Sequence, residues 1–270
     1  MSASAGPRAA PSRVLVAAGA IIIVATYLYL VIGQPVEAAA SASSRASLIA
    51  MAGYLLGAVL LAGGSIHRLP TSTIAMVPGA IAVNIVVGQL TAVLGLPLYL
   101  DSIGTVLVAA LAGPAAGIVT GILTNVIWGL TLSPIALPFA VVQVIIGLLA
   151  GLAARAGMFR AIWRAPAAGA ITGLVTAIIA APVAAFVFGG ATGGGAGAVV
   201  GAFQAMGQSL LAATTLQGLL SDPLDKLITF TVVGFLLATL PRRFGQRFWF
   251  ARRYRVLGPG SSHAPTEAED

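Results

Sequence analysis

Apolar residues occupy the chain in long runs, which short polar or glycine- and proline-containing stretches separate. An apolar run of about 18 or more residues predicts a membrane-spanning α-helix, because about 20 helical residues cross the hydrocarbon core. The runs predict helices over residues 14–33, 46–66, 74–94, 101–112, 114–132, 134–154, 166–188, 199–220 and 223–240. The alternation typical of membrane β-strands is absent from the sequence. The pattern therefore predicts an all-α polytopic membrane protein.

Composition agrees with this pattern and argues against several function classes. Hydrophobic residues make up 59% of the 270 and charged residues only 8%, with a mean hydropathy of +1.02, whereas a soluble domain is about one-quarter charged. There is no cysteine, so disulfides, thiolate catalysis and cysteine-bound metals are excluded. His67 and His263 have no neighbour in the sequence that would serve as a catalytic base or a metal ligand. Neither a P-loop nor an HExxH motif is present. We predict no enzymatic activity, no metal and no cofactor.

The net charge of +7 could indicate a nucleic-acid-binding protein, but the basic residues are placed otherwise. They cluster at the ends of the predicted helices, as the positive-inside rule describes. We therefore predict no nucleic-acid partner, a plasma-membrane location and two cytoplasmic termini. Residues 242–270 would be a basic cytoplasmic tail whose aromatic residues lie against lipid headgroups; these residues are Phe248, Trp249, Phe250 and Tyr254.

The composition changes along the chain and divides it into four segments. Residues 1–13 are small and polar and are predicted to be disordered. Residues 14–68 would form two N-terminal transmembrane helices; a signal peptide is the alternative for the first, but its apolar core is too long. Residues 69–241 would form a compact membrane unit, and residues 242–270 the tail.

Charge bias also predicts the topology of the compact unit. Three helices are predicted between the basic loop 155–165 and the basic tail, and an odd number of crossings would place the tail outside. We therefore expect residues 199–220, which follow a glycine-rich tract, not to cross the membrane but to act with the segment 189–221 as a lid. Six crossings remain, and the turns at 96–101 and 131–134 fall on the same external side as this lid.

Asp101 is the most informative single residue, because a carboxylate in so apolar a segment needs a partner, a wet cavity or a function. It could cap the helix that follows it, and a capping role does not exclude ligand contact. A few other polar side chains fall in the external halves of their helices. Hydrogen bonds between helices and an aromatic belt are the structural alternatives for these. We predict a substrate cavity formed by Asp101, Asn125, Trp128, Gln89 and Gln143.

A second polar group occurs late in the chain, at residues 221–226. Local rules explain most of it: Asp222 fits a helix N-cap, Pro223 the first helical position, and Lys226 an ion pair with Asp222 four residues earlier. The alternative places Asp222, Asp225 and Lys226 at the mouth of the cavity. Their charges would suit either a zwitterionic or a cationic ligand.

With these residues in view, the unit from Leu69 to Pro241 resembles the substrate-binding S components of energy-coupling factor (ECF) transporters. The resemblance is carried by residues 98–105 (LYLDSIGT), 112–117 (AGPAAG), 123–128 (LTNVIW) and 222–226 (DPLDK). It implies a six-helix bundle, here preceded by two extra transmembrane helices, that captures a vitamin-like micronutrient at its outer side. It also implies a transmembrane coupling subunit and two cytoplasmic ATPases as partners. In the family a small-residue face of the first core helix docks the coupling subunit, which would correspond here to Ala75, Gly79 and Ala82.

Two other function classes fit the same helices. A membrane sensor or assembly protein would use the bundle without transport, and its partner would be a kinase or an envelope enzyme. A proton-coupled carrier acting alone would need Asp101 or Asp225 to titrate.

Overall fold

The computed structural model describes residues 9–33, 45–66, 69–161, 163–193 and 195–257; this part of the chain is 82% helical and contains no β-strand. Single 3-10 turns cover Pro134–Ala136 and Met158–Arg160. In chain order the α-helices are α1 (Ala9–Gly33), α2 (Arg45–Ile66), α3 (Thr71–Val93), α4 (Ile103–Ala112), α5 (Pro114–Thr131), α6 (Ala140–Arg155), α7 (Arg164–Phe188), α8 (Ala196–Ala205), α9 (Leu210–Thr239), α10 (Arg242–Gly245) and α11 (Trp249–Arg253).

Within the described ranges, five helices are long and apolar enough to cross a membrane, namely α1, α2, α3, α5 and α7. Their outward faces carry exposed large apolar side chains that suit lipid contact, among them Ile21, Leu56, Val86, Leu130 and Ile171. The chain is therefore a multi-pass helical membrane protein. The helix α9, with 30 residues, is about 45 Å long, but it carries Asp222, Asp225 and Lys226.

The first two helices form an antiparallel hairpin with very close packing. A Cβ on Gly19 would lie 2.7 Å from the carbonyl oxygen of Gly57, so only glycine allows this approach. Ile23 and Tyr54 join one buried cluster with Ile122 of α5 and Val183 of α7. The hairpin thus packs against the side of the unit formed by the later helices.

Small residues also bring the later helices together. A Cβ on Gly169 or Gly173 of α7 would lie 2.3 Å from a backbone oxygen of α9, and one on Gly147 of α6 would lie 2.4 Å from Gly117 of α5. Such contacts let helices approach at van der Waals distance. Gly79 on α3 differs, because a Cβ there meets nothing within 4 Å.

Several predicted boundaries are wrong. The predicted start of a helix at Asp222–Pro223 lies in the middle of α9, because packing against α7 carries the helix through the proline. The predicted helix 199–220 is split into α8 and the first third of α9. Consequently residues 210–221 of the predicted lid belong to the long helix α9, and its residues 189–209 form a loop and a short helix.

The two chain ends differ from expectation as well. The helix α1 begins at Ala9, inside the segment 1–13 predicted to be disordered; residues 1–8, 34–44, His67–Arg68 and 258–270, with His263, lie outside the described residues. In the tail, Phe248 and Phe250 are 4% and 9% exposed and pack into a cluster with Leu111 and Phe230. These two rings therefore contact the protein, whereas Trp249, 62% exposed, faces outward.

Candidate functional site

A cavity of about 140 Å³ lies at one end of the bundle, where α3, α5 and α7 end and where α6 and α9 begin. Its wall is mostly apolar. The loop before α4, the link between α5 and α6, and the loop after α7 all contribute to it. The polar side chains of the wall are Thr91, Tyr99, Asp101, Asn125, Trp128, Ser133, Gln143, Thr192, Thr214, Gln217, Asp222 and Lys226.

The structure brings together most of the residues predicted for the site. Asp101, Asn125, Trp128 and Gln143 line the cavity, and so do Asp222 and Lys226. Gln89 lies outside the lining and accepts a hydrogen bond from the indole Nε1 of Trp128 at 3.2 Å. Asp225 is completely buried beneath the lining. On α3, Ala75, Gly79 and Ala82 lie on an exposed face, away from the cavity.

Asp101 does not cap α4. The helix starts at Ile103 with Ser102 at the cap position, and no side chain accepts a capping hydrogen bond there. Instead, the Asp101 carboxylate lies 3.6 Å from the ammonium of Lys226 on α9. Burial raises the pKa of the Asp101 carboxyl, and the neighbouring ammonium opposes this shift. The charge predicted from the sequence is therefore paired across two elements far apart in the chain.

Asp225 is the structural partner of Lys226. Its Oδ2 accepts a hydrogen bond from the Lys226 ammonium. Its Oδ1 accepts hydrogen bonds from the backbone N–H of Tyr99 at 3.2 Å and of Leu100 at 2.7 Å. Leu100 has a φ of 49°, a left-handed conformation that a branched side chain adopts only when its surroundings enforce it. Asp225 thus holds the backbone of the loop that carries Asp101. The predicted Asp222–Lys226 ion pair is not the one formed.

A hydrogen-bonded network centred on Asn84 fixes the start of α4. Its Oδ1 accepts from the backbone N–H of Gly104 at 2.6 Å, and its Nδ2 donates to the hydroxyls of Thr105 and Thr124 at 2.9 and 3.0 Å. Gly104 must be small, because a Cβ would lie 2.1 Å from the Ala80 oxygen. Asn84 therefore serves interhelical bonding, joining α3, α4 and α5.

Gln143 connects this network with the cavity. The Thr105 hydroxyl donates to its Oε1 at 3.2 Å, while its Nε2 donates to the backbone oxygen of Asp101 at 3.2 Å. Both ends of the amide are thus used within the protein. Gln143 therefore positions the backbone at Asp101.

Asn125 has the opposite property. Its Nδ2 donates to the backbone oxygen of Ala136 at 2.9 Å, but its Oδ1 is buried and has no partner among the described residues. This contact fixes the orientation of the amide, because the flipped amide would place Oδ1 against the backbone oxygen of Ala136. A buried acceptor therefore remains unsatisfied on a residue that lines the cavity.

Trp128 supplies an aromatic wall whose position is tightly constrained. A Cβ on Gly88 would lie 2.7 Å from the indole ring and 2.9 Å from the Asp101 Cβ. The hydrogen bond from Nε1 to Gln89 fixes the other edge of the ring. Gly88 therefore allows Trp128 and Asp101 to share one side of the cavity.

Two loops meet over this end of the bundle. The backbone N–H of Gly195 donates to the Leu96 oxygen at 3.3 Å, and the Tyr99 hydroxyl lies 3.4 Å from the Thr192 hydroxyl. Burial is the main cause of a raised pKa for Tyr99, so its phenol stays protonated. Tyr99 and Thr192 were not among the predicted site residues; Tyr99 lies two residues before Asp101 in the LYLDSIGT segment, and this was the sequence signal that pointed to it.

No protein-family model, curated protein or solved structure matches the chain. Within the part of the chain that the structure describes, no three histidine or acidic side chains form a group that could hold a metal ion. The cavity is thus characterised by its own chemistry: an apolar and aromatic wall, a few convergent polar groups, and charges supplied by one loop and one helix.

Proposed function

We propose that the protein is a membrane-embedded capture subunit that binds a small molecule at one end of its bundle for import. The observation that carries this proposal is the cavity beneath two touching loops. A mostly apolar wall with a few convergent polar groups is typical of small-molecule sites, and ionisable residues among the helices of a membrane protein often mark a substrate pathway.

The proposal includes the partners implied by the resemblance to ECF S components. This chain contains no P-loop, so uptake against a gradient would draw energy from two ATPases through a transmembrane coupling subunit. The cavity would face the outside of the plasma membrane, and both termini the cytoplasm. The exposed face of α3 with Ala75, Gly79 and Ala82 would dock the coupling subunit.

Affinity purification from gently solubilised membranes tests the partners. The tagged full chain should recover a second membrane subunit and two ATPases. Gly79→Leu should remove them, because the added side chain projects from an open face. Gly201→Leu is the matched control, since Gly201 on α8 is equally open, and it should retain them. Recovery of a kinase or an envelope enzyme instead would favour the sensor or assembly function.

A proton-coupled carrier acting alone is the second candidate, favoured by the buried cluster of Asp101, Asp222, Asp225 and Lys226. Carboxylates inside membrane-protein bundles are among the groups that proton relays use. Liposomes containing only this chain separate the two functions. Concentrative uptake of a bound compound under a pH gradient would support the carrier, and its absence would leave the energised importer.

A further inference from the structure

We infer that the cavity binds a small protonated amine, with its ammonium group placed between the Asp101 and Asp222 carboxylates. The inference deepens the proposed capture function and rests on it. Three independent features of the cavity carry it: its charge, its unsatisfied acceptor and its aromatic wall.

The first feature is an excess of carboxylate. Asp101, Asp222 and Lys226 are the charged residues of the wall, but the Lys226 ammonium is already matched by the fully buried Asp225. Asp101 shares that ammonium at 3.6 Å, so three carboxyl groups face one cation in a site where Asp222 is only 7% exposed. A buried charge is costly unless an opposite charge accompanies it. A bound cation would supply that charge.

The same geometry disfavours a zwitterion or an anion. An acidic ligand group would need a free cation, and Lys226, the single basic residue of the described wall, is 4% exposed and held between Asp225 and Asp101. Displacing either carboxylate would break a buried pair, which typically costs several kcal/mol. Of the two ligand types that the sequence allowed, the cavity therefore suits the cation.

The second feature is Asn125. Asn125 lines the same cavity and its buried Oδ1 has no partner among the described residues; leaving such an acceptor unsatisfied is unfavourable. An N–H donor on the occupant would satisfy it. A protonated amine carries both properties that these two features call for, a positive charge and hydrogen-bond donors.

The third feature is the apolar part of the wall. Trp128, Tyr99 and Phe139 all contribute to it, and aromatic faces attract ammonium groups. The volume of about 140 Å³ is close to that of a cavity of about 150 Å³ that holds benzene. A single aromatic ring therefore matches the space, and a short aminoalkyl chain would carry its ammonium group to the carboxylates of the wall.

Three probes of similar shape but different charge test the inference: phenethylammonium, 2-phenylethanol and 3-phenylpropionate. Binding to the purified full-length chain in detergent is measured by thermal unfolding and by calorimetry. We expect phenethylammonium to bind about tenfold or more tightly than either other probe. In the Asp101→Asn/Asp222→Asn variant this preference should disappear, while Gln204→Ala, an exposed site on α8, should retain it.

The outcomes are distinct. Equal or tighter binding of 2-phenylethanol or 3-phenylpropionate would overturn the cation assignment while leaving small-molecule capture intact. Failure of phenethylammonium to bind the wild-type chain would overturn it too, independently of whether coupling subunits are recovered. The comparison among probes uses the unaltered protein, so it holds even where the double variant does not fold.

Discussion

Asp225 joins two parts of the molecule through one side chain. It is the charge partner of Lys226 and the acceptor for the backbone N–H groups of Tyr99 and Leu100. A carboxylate is required for the first role, whereas any oxygen could fill the second. The two roles can therefore be separated by an isosteric amide.

Asp225→Asn should destabilise the fold by about 3 kcal/mol or more, because Lys226 would remain buried without its closest counter-charge. Asp222→Asn is the matched control: this residue lines the cavity rather than closing a buried pair, so the loss should be much smaller. Denaturant unfolding in detergent measures both variants. Equal losses would contradict the assignment of Asp225 as the structural partner.

Binding of phenethylammonium should tighten as the pH rises through the range in which the Asp101 carboxyl loses its proton. Burial raises the pKa of Asp101, so a rising pH converts neutral acid into the carboxylate that the cation needs, while an alkyl ammonium keeps its charge. The groups facing Asp101 are Lys226, Asp222 and Asp225 from α9 and Gln143 from α6.

Proton release on binding, measured by calorimetry in two buffers, should accompany the tighter affinity. In Asp101→Asn the pH dependence should become shallower. An affinity that is flat in the wild-type chain across this range would show that no carboxyl titrates with the cation.

At the scale of elements, the apolar runs predicted most helices to within a few residues, because apolar length is a local property of the sequence. The Ser-Asp-Pro signal at 221–223 was misleading for the same reason. Capping rules consider one turn of helix, whereas the packing of α7 on α9 extends along the helix on both sides of Pro223. The same limit explains Asp101: its partner Lys226 is 125 positions away, and no local pattern connects them.

The contact between α7 and α9 provides an element-scale prediction. Gly173→Ala should destabilise the protein by about 1–3 kcal/mol, because its Cβ would lie 2.3 Å from the Asp222 carbonyl oxygen. Gly201→Ala, in the open helix α8, should be neutral or stabilising by about 0.5–1 kcal/mol. Thermal unfolding compares them, and equal midpoints would contradict the close packing of α7 on α9.

At the scale of the whole molecule, the bundle is closed at one end by the cavity loops and elsewhere by the C-terminal segment. Aromatic side chains of the tail form part of the main core rather than a separate surface feature. Sequence alone indicated a basic, headgroup-facing tail because arginines and aromatics are intermixed there. Which rings face inward depends on the surface of the bundle that the tail packs against. Phe250 packs directly over Gly113, between α4 and α5.

Phe250→Ala should therefore destabilise the protein by about 3 kcal/mol through the cavity it leaves. Trp249→Ala removes an adjacent, exposed ring and should change stability by about 0.5 kcal/mol or less. Both are measured by denaturant unfolding in detergent micelles. If Trp249→Ala were the more harmful, the orientation of the tail would be the reverse of that described.

The tie between Asp225 and the Tyr99–Leu100 backbone also has a consequence during synthesis. The loop emerges from the ribosome about 126 residues before its carboxylate partner, and nothing enforces the left-handed conformation of Leu100 until α9 has packed against the loop. The Tyr99–Leu100 loop therefore reaches its final conformation only after α9 has been synthesised and has folded. A nascent chain arrested before residue 225 should insert its first helices normally but leave Tyr99 open to chemical labelling, and protection should appear only once α9 is released.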